Sequence, residues 1–321
     1  MDKYAEDIKK MPGQFAWRPT VENAGELAAG ARFSRFVVGG MGGSHLAADF
    51  LKSAYPALDL KIHEDYGLPI LPDGDSERLY IAVSYSGNTV ETLDFARSTL
   101  ENGLSLAVIS KGGKLETFAK DNGLPHIVLP DWGIEPRMAT GLMAMALLVF
   151  FGDHEKSQVF ENIAKSADMT LAEKIGREAA DFFKGSIPLI YASSRNTFAA
   201  KFMKIAMNET GKTAAFWNVF SELNHNEMMS FTGGADRFRI MYMTDEEDGP
   251  QIKKRMEVMQ RLVKDRGGEV MGVALDGKSH YEKLANSIYL SHWTAYFTAK
   301  ASGQDPASTA LVEEFKKLIV P

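Results

Sequence analysis

A hydroxyl-rich loop that follows an apolar run is the feature that most constrains this chain. The run Leu79–Val83 is followed directly by Ser84-Tyr-Ser-Gly-Asn-Thr89 and then by a helix-compatible segment. In α/β proteins such a strand, turn and helix start form a phosphate cradle, because backbone N–H groups at a helix N-terminus carry partial positive charge. The hydroxyls that would contact the anion are those of Ser84, Ser86 and Thr89. An ordinary Ser/Thr helix cap is the alternative for this loop taken alone.

A second loop has the same position relative to an earlier apolar run. Gly39–Ser44, with the sequence GGMGGS, follows Phe36–Val38 and opens a helix-like segment. Neither loop matches GxxxxGK[ST], and GGMGGS is not in the GxGxxG register, although His63, Glu64 and Asp65 lie where a ribose ligand of a dinucleotide site would. Loops after successive strands of one sheet predict a single phosphate held by both. The ligands expected from this loop are Gly42, Gly43 and Ser44.

Strand-like and helix-like segments alternate through both halves of the chain. The predicted strands are Arg35–Val38, Asp59–His63, Leu79–Ser84, Leu104–Ile109, Ile127–Leu129, Pro188–Ala192, Phe238–Met243 and Val270–Ala274. The predicted helices are Ser44–Ala54, Thr89–Glu101, Leu115–Asp121, Arg137–Phe150, Phe198–Asn208, Gln251–Asp265 and His292–Ala301. This alternation predicts α/β domains with parallel sheets covered by helices on both faces.

The repeated scheme indicates an internal duplication with two domains, residues 1–152 and 153–321, and the charged stretch 153–166 is expected to connect them. The turn Ser193–Thr197 in the second half lacks glycine, so a plain helix cap is favoured there over a second cradle.

Composition excludes several classes of protein. The net charge is −6 and Lys/Arg clusters are absent, which argues against a nucleic-acid surface and against binding to an anionic membrane. The chain has no cysteine, so disulfides, thiol nucleophiles and thiolate metal sites are excluded, and no HExxH motif is present. The charged N-terminus is unlike a signal peptide, and the apolar run Met138–Phe151 is too short to span a bilayer. A soluble, cytoplasmic protein without a cofactor or metal is expected.

The two loops and four later motifs resemble the sugar isomerase (SIS) family, and within it the bifunctional phosphoglucose/phosphomannose isomerases. The motifs are Gly40-Met-Gly-Gly-Ser44, Ser84-x-Ser-Gly-Asn-Thr-x-Glu-Thr92, Pro136-Arg137, Asn208-Glu-Thr210, Asn224-His-Asn226, and Pro306-x-x-Thr309 with Lys316-Lys-Leu318. The resemblance covers essentially the whole chain. It implies two SIS subdomains, each a flavodoxin-like three-layer sandwich, and a metal-independent aldose–ketose isomerase acting on hexose 6-phosphates.

The resemblance also implies roles for five residues. Glu209 would be the base that moves a proton between C1 and C2, and His225, contributed by the neighbouring subunit of a homodimer, would open the sugar ring. Arg137 would stabilise the enediolate, with Glu135 next to it as a departure from the family pattern that would weaken this effect. Lys316 matches an active-site lysine. Thr309 matches the position associated with rotation about C2–C3, which gives both C2 epimers.

Taken without the resemblance, these residues have ordinary interpretations. Glu209 reads as a surface residue near a helix end, His225 as exposed, Arg137 as part of a helix-terminus ion pair, and Lys316 as part of a solvated helix face. His45, which replaces a small residue of the family motif, either contacts substrate or caps the loop. A sugar-phosphate sensor without catalysis, or an amino-sugar phosphate isomerase, are the alternative functions. The aromatic segment Phe216–Phe220 suits either a subunit interface or the core of the second domain.

Overall fold

The structure is a computed structural model that describes residues 2–25, 33–71 and 77–319. The chain forms two compact units. The first unit comprises residues 10–166, and the second comprises residues 167–319 together with residues 2–9, most of the N-terminal helix α1 (Lys3–Lys10). None of the helices in these described ranges is long and apolar enough to cross a membrane.

The first unit is built on a five-stranded parallel sheet. Its strands are β1 (Arg35–Gly39), β2 (Asp59–His63), β3 (Arg78–Ser84), β4 (Leu106–Ser110) and β5 (His126–Val128). Their spatial order is β2-β1-β3-β4-β5, the flavodoxin-type order. Every residue of β3 and β4 is buried, as expected for a parallel sheet covered on both faces. The predicted α/β class is confirmed.

Within the described ranges, five helices belong to this unit. They are α2 (Gly43–Ala54), α3 (Val90–Glu101), α4 (Gly113–Asp121), α5 (Thr140–Phe150) and α6 (His154–Ser166). The apolar run Met138–Phe151 was predicted to be a buried helix, and ten of the eleven residues of α5 are buried. A helix apolar on all sides can be accommodated only inside the protein.

The stretch 153–166 is a helix of the first unit, so its interpretation as an interdomain connection was wrong. Phe160 is fully buried, and its ring lies 5.7 Å from Phe15 and 5.3 Å from Phe50. Ile163, one helical turn later, is buried as well. The many charged residues around these two apolar positions hide the helical spacing. The compact units consequently divide after Ser166 rather than after residue 152.

The second unit repeats the arrangement with four strands. They are β6 (Ile187–Ser193), β7 (Phe216–Phe220), β8 (Phe238–Thr244) and β9 (Glu269–Ala274), parallel and in the order β7-β6-β8-β9. This order matches β2-β1-β3-β4 of the first unit, which supports an internal duplication. The aromatic segment Phe216–Phe220 is therefore an edge strand, in which Phe216 is exposed and Phe220 is buried.

The helices of this unit are α7 (Met169–Phe183), α8 (Thr197–Glu209), α9 (Pro250–Lys264), α10 (His280–Ala301) and α11 (Ala310–Ile319). Helix α10 begins at His280 rather than at the predicted His292. A capping box of Ser279 and Glu282 starts it. Buried Lys283 and Ser287 in its first half interrupt the apolar pattern on which the prediction relied.

Buried Gln14 stabilises the chain next to Arg137. Its amide Nε2 donates to the carbonyl of Met138 at 2.8 Å, and its Oε1 accepts from the N–H groups of Gly141 at 3.0 Å and Leu142 at 3.3 Å.

We expect Gln14→Ala to lower the free energy of unfolding by roughly 2–4 kcal/mol, because it leaves buried backbone groups without partners. Urea denaturation measures this. The exposed Gln251→Ala is the control and should change it by less than about 0.5 kcal/mol; equal losses would contradict the assignment.

Candidate active site

The two glycine- and hydroxyl-containing loops lie side by side at the carboxyl ends of β1 and β3. The Oγ of Ser44 accepts a hydrogen bond from the backbone N–H of Tyr85 at 3.1 Å, which joins the loops directly. At Gly40 a Cβ atom would lie only 2.7 Å from the carbonyl oxygen of Val83. Glycine is therefore required there so that the two backbones can approach each other. The structure brings together the loops that the sequence predicted to act on one anion.

The three hydroxyls of the second loop have different surroundings. Ser84 is buried, and its Oγ lies 2.9 Å from Oγ1 of Thr89 and accepts from the N–H of Gly87 at 3.1 Å. Ser86 is exposed and accepts from the N–H of Asn88 at 3.3 Å. Gly87 has φ of +68°, a conformation that glycine adopts at low cost. Ser84 thus shapes the loop, while Ser86 is open to a ligand and Thr89 precedes the first residue of α3.

A third loop, which the sequence reasoning missed, supports the cradle from behind. The N–H of Leu115 donates to the carbonyl of Gly87 at 2.9 Å, and the N–H of Lys114 donates to Oδ1 of Asn88 at 3.2 Å. A Cβ on Gly87 would lie 1.7 Å from the carbonyl oxygen of Gly112. The pair Gly112-Gly113, three residues after the predicted strand Leu104–Ile109, was the available signal.

Arg137 lies against the first loop. It belongs to a 3-10 turn, Pro136–Met138, and is buried. A Cβ on Gly43 would lie 2.9 Å from the Cα of Arg137, so these two backbones are in contact and only glycine fits. The Nη1 of Arg137 is 3.5 Å from Oε2 of Glu135, which partly offsets the charge of the guanidinium.

Burial, with the negative charges of Asp131 and Glu135, raises the pKa of Tyr85 to about 12.

His45, whose role the sequence left open, is held by two carboxylates. Its ring is buried, with Nδ1 2.8 Å from Oδ2 of Asp49 and Nε2 3.4 Å from Oε2 of Glu64. One ligand atom from each residue lies within 4.8 Å of the others, and histidine with two carboxylates is a donor set that transition metals accept. The sequence predicted no metal site. The carboxylate of Glu64, which kept the dinucleotide alternative open, contacts His45 here.

In the second unit, Glu209 and the segment carrying Thr309 are attached to each other. Glu209 is the last residue of α8 and is half-buried. The Nζ of Lys212 donates to the carbonyl oxygen of Glu209 and, at 2.5 Å, to that of Ser308. The carbonyl of Thr309 then accepts from the N–H of Glu313 at 3.0 Å, which begins α11. Lys212 was not recognised from the sequence.

Lys316 lies on the surface of the second unit. Its side chain is 61% exposed, and its Nζ is 2.8 Å from Oε1 of Glu313. The hydrogen bond from Lys316 lowers the pKa of Glu313. None of the described residues of α11 is buried. The structure does not bring the Lys316 side chain into contact with the other predicted residues.

His225 is exposed on the loop that follows β7, and the residues around it fix this loop. Two residues later, the carboxylate of Glu227 accepts from the hydroxyl of Tyr191 and from Nδ2 of Asn218, both at 2.5 Å. Burial and the bond to Glu227 raise the pKa of Tyr191. Glu227 was missed because a glutamate in a polar segment gives no pattern of its own.

The second unit has no open counterpart of the cradle among its described residues, because carboxylates fill that place. Asn196, at the turn after β6, donates to Oγ of Ser193 at 3.0 Å and to Oδ2 of Asp245 at 3.2 Å. The Nζ of buried Lys283 donates to Oδ1 of Asp245 at 2.7 Å. Burial opposes ionisation of Asp245, but these hydrogen bonds outweigh it and lower its pKa. The sequence favoured a plain helix cap for Ser193–Thr197, but no side chain caps the helix that follows, because the amide of its N-cap residue Asn196 is bound to Ser193 and Asp245 instead.

Known proteins are similar to this chain over nearly its whole length. Residues 172–319 match the family model of the bacterial phospho-glucose isomerase C-terminal SIS domain. A bifunctional phosphoglucose/phosphomannose isomerase from Thermoplasma acidophilum is 30% identical over 99% of this chain and 97% of its own length. One from Aquifex aeolicus is 28% identical over 99% and 98%.

Solved structures share the fold at low sequence identity. The C-terminal domain of glucosamine-fructose-6-phosphate aminotransferase from Francisella tularensis has a TM-score of 0.73 at 14% identity and covers 96% of this chain and 99% of its own. The tagatose-6-phosphate ketose/aldose isomerase from Escherichia coli has a TM-score of 0.67 at 17% identity, covering 95% and 94%. On the whole-length sequence match, this chain is an isomerase and belongs to the family of bifunctional phosphoglucose/phosphomannose isomerases.

Proposed function

We propose that this enzyme interconverts fructose 6-phosphate with glucose 6-phosphate and mannose 6-phosphate through a cis-enediol(ate), without a resident metal ion. The observation that carries the proposal for this chain is the pair of loops joined by the bond from Tyr85 to Ser44. Exposed Ser86 and the start of α3 give them the donors that a phosphate monoester requires. The full-length relatives are phosphoglucose/phosphomannose isomerases, which supports the choice of sugar.

The proton transfer is assigned to Glu209. Its carboxylate would take a proton from C1 of open-chain fructose 6-phosphate while the C2 oxygen gains a proton, which gives the enediol. The protonated carboxyl group would then return its proton to C2 while the C1 hydroxyl releases its proton, so that C1 becomes the aldehyde of the aldose. Return to one face or the other of C2 gives glucose or mannose 6-phosphate. We assign to Thr309 the environment in which the enediol rotates about C2–C3.

The remaining groups act on charge and on the ring. Arg137 is rigidly held against Gly43 and would stabilise the negative charge of the enediolate. Imidazole side chains exchange protons near neutrality, and we assign ring opening to His225. Lys316 would contribute positive charge. We further propose a cytoplasmic homodimer in which His225 serves the partner's site.

A related enzyme gives a second candidate substrate. A D-glucosamine-6-phosphate 4-epimerase from Sulfolobus acidocaldarius is 30% identical over 194 residues, 59% of this chain. Coupled assays with fructose, glucose, mannose and glucosamine 6-phosphates distinguish the alternatives. Turnover of the amino sugar alone would replace the proposal, and binding without turnover of any of them would favour the sensor.

The cradle is tested by Ser86→Ala. The Ser86 hydroxyl is exposed, so its removal should affect the ligand more than the fold. One hydrogen bond to a charged group is worth roughly 1.5–3 kcal/mol, so KM should rise by about one to two orders of magnitude. Steady-state kinetics measure this, with exposed Ser302→Ala as the control. An unchanged KM would remove Ser86 from the phosphate site.

The base is tested by Glu209→Gln. Glutamine keeps the shape of the side chain but does not accept the proton, so kcat should fall by roughly 100-fold or more while substrate still binds. Exchange of the C1 proton of fructose 6-phosphate with deuterated solvent, followed by NMR, should fall in parallel. Exchange at the wild-type rate would place the base elsewhere.

The composite site is tested by subunit complementation. Glu209→Gln and His225→Ala proteins, mixed under conditions of subunit exchange, should regain about a quarter of wild-type activity, since a mixed dimer holds one intact site. Each variant mixed with itself is the control. Mixed dimers as inactive as the parents, or an active monomer, would place both residues in one subunit.

A further inference from the structure

Lys212 connects two parts of the second unit that carry separate proposed site residues. Its Nζ donates to the backbone carbonyls of Glu209 and Ser308, the second at 2.5 Å. Ser308 directly precedes Thr309, and 96 residues separate Lys212 from Ser308 along the chain. One ammonium group therefore bridges the backbone of the residue assigned as base and the backbone of the residue that precedes Thr309.

The backbone at Lys212 is one that a lysine adopts at a cost. Its φ is +53°, in the left-handed region, where a Cβ atom crowds the following carbonyl oxygen and glycine is usual. The two hydrogen bonds that the Lys212 ammonium group donates explain why a lysine rather than a glycine occupies this position.

The turn that presents Lys212 is fixed independently of the amine. The Nδ2 of Asn208 donates to the carbonyl of Thr213 at 2.9 Å, and the N–H of Thr213 donates to the carbonyl of Met207 at 3.0 Å. A buried contact of 2.8 Å joins the hydroxyls of Tyr4 and Thr210. The turn would keep its conformation when the Lys212 side chain is shortened.

On the other side, the segment is held before Thr309 rather than after it. Pro306 is buried and Ser308 accepts from Lys212, whereas none of the described residues of helix α11, which follows Thr309, is buried. We propose that Lys212 is a positioning residue that sets Thr309 against Glu209 and thereby controls how the enediol is partitioned between the two C2 epimers. The proposal rests on the proposed function.

The experiment compares Lys212→Met, Lys212→Gly and Lys212→Arg with Lys204→Met, a half-buried lysine on α8, as matched control. Initial rates from fructose 6-phosphate give kcat, KM and the ratio of mannose to glucose 6-phosphate. Displacement of a reacting group by about 1 Å can cost on the order of 100-fold, so the Met and Gly variants should lose tenfold or more in kcat and change the product ratio. The arginine variant, which keeps donors, should retain more activity than either.

The product ratio separates positioning from folding, because it does not depend on the fraction of active enzyme. The glycine variant separates the amine from the backbone, since it relieves the left-handed conformation but removes the donor. A normal ratio in the Met and Gly variants, or a normal Gly variant beside a defective Met variant, would overturn the proposal while leaving the function standing. Absence of isomerisation by the wild-type protein would instead refute the proposed function.

Discussion

The close approach of two backbones at the carboxyl ends of β1 and β3 is the constraint on which the candidate site depends. Both strands belong to a parallel sheet buried on both faces, so their following loops leave at the same edge. The contact of Gly40 with Val83, and of Gly87 with Gly112, leaves no room for a side chain. The loops are consequently held by main-chain contacts, which fix their hydroxyls and N–H groups in place, as the proposed anion site requires.

The two units differ in what they place at the carboxyl ends of their central strands. In the first unit the switch point of the sheet offers donors, with Ser86 open to solvent. In the second unit the equivalent place holds the buried carboxylate of Asp245. Lys283 balances its charge, and Asn196 donates a hydrogen bond to it. An internal carboxylate there would repel a phosphate and satisfy the same donors. Duplication of the fold therefore does not imply duplication of the binding site, and the second copy is free to carry proton-transfer residues.

Polar contacts add to apolar packing in supporting the groups assigned to chemistry. Glu227 ties the His225 loop to Tyr191 and Asn218, and Lys212 ties the end of α8 to the C-terminal segment. Such contacts fix direction and distance but involve residue types without a periodic signature. They hold exposed elements that have little hydrophobic burial of their own, as in α11.

Local properties of the sequence, namely apolar alternation and glycine spacing, predict the parallel α/β class, the two loops and the family. They do not predict the order of the strands in each sheet, β7, the start of α10 or the placement of 153–166 in the first unit. In the last two segments, buried polar or interspersed charged residues disguise the apolar period. The contact of Arg137 with Gly43 and the hydrogen bond from Lys212 to Ser308 became visible only in the folded structure. These are contacts between residues far apart in the chain, and no local pattern encodes a distance that the packing of the whole unit sets.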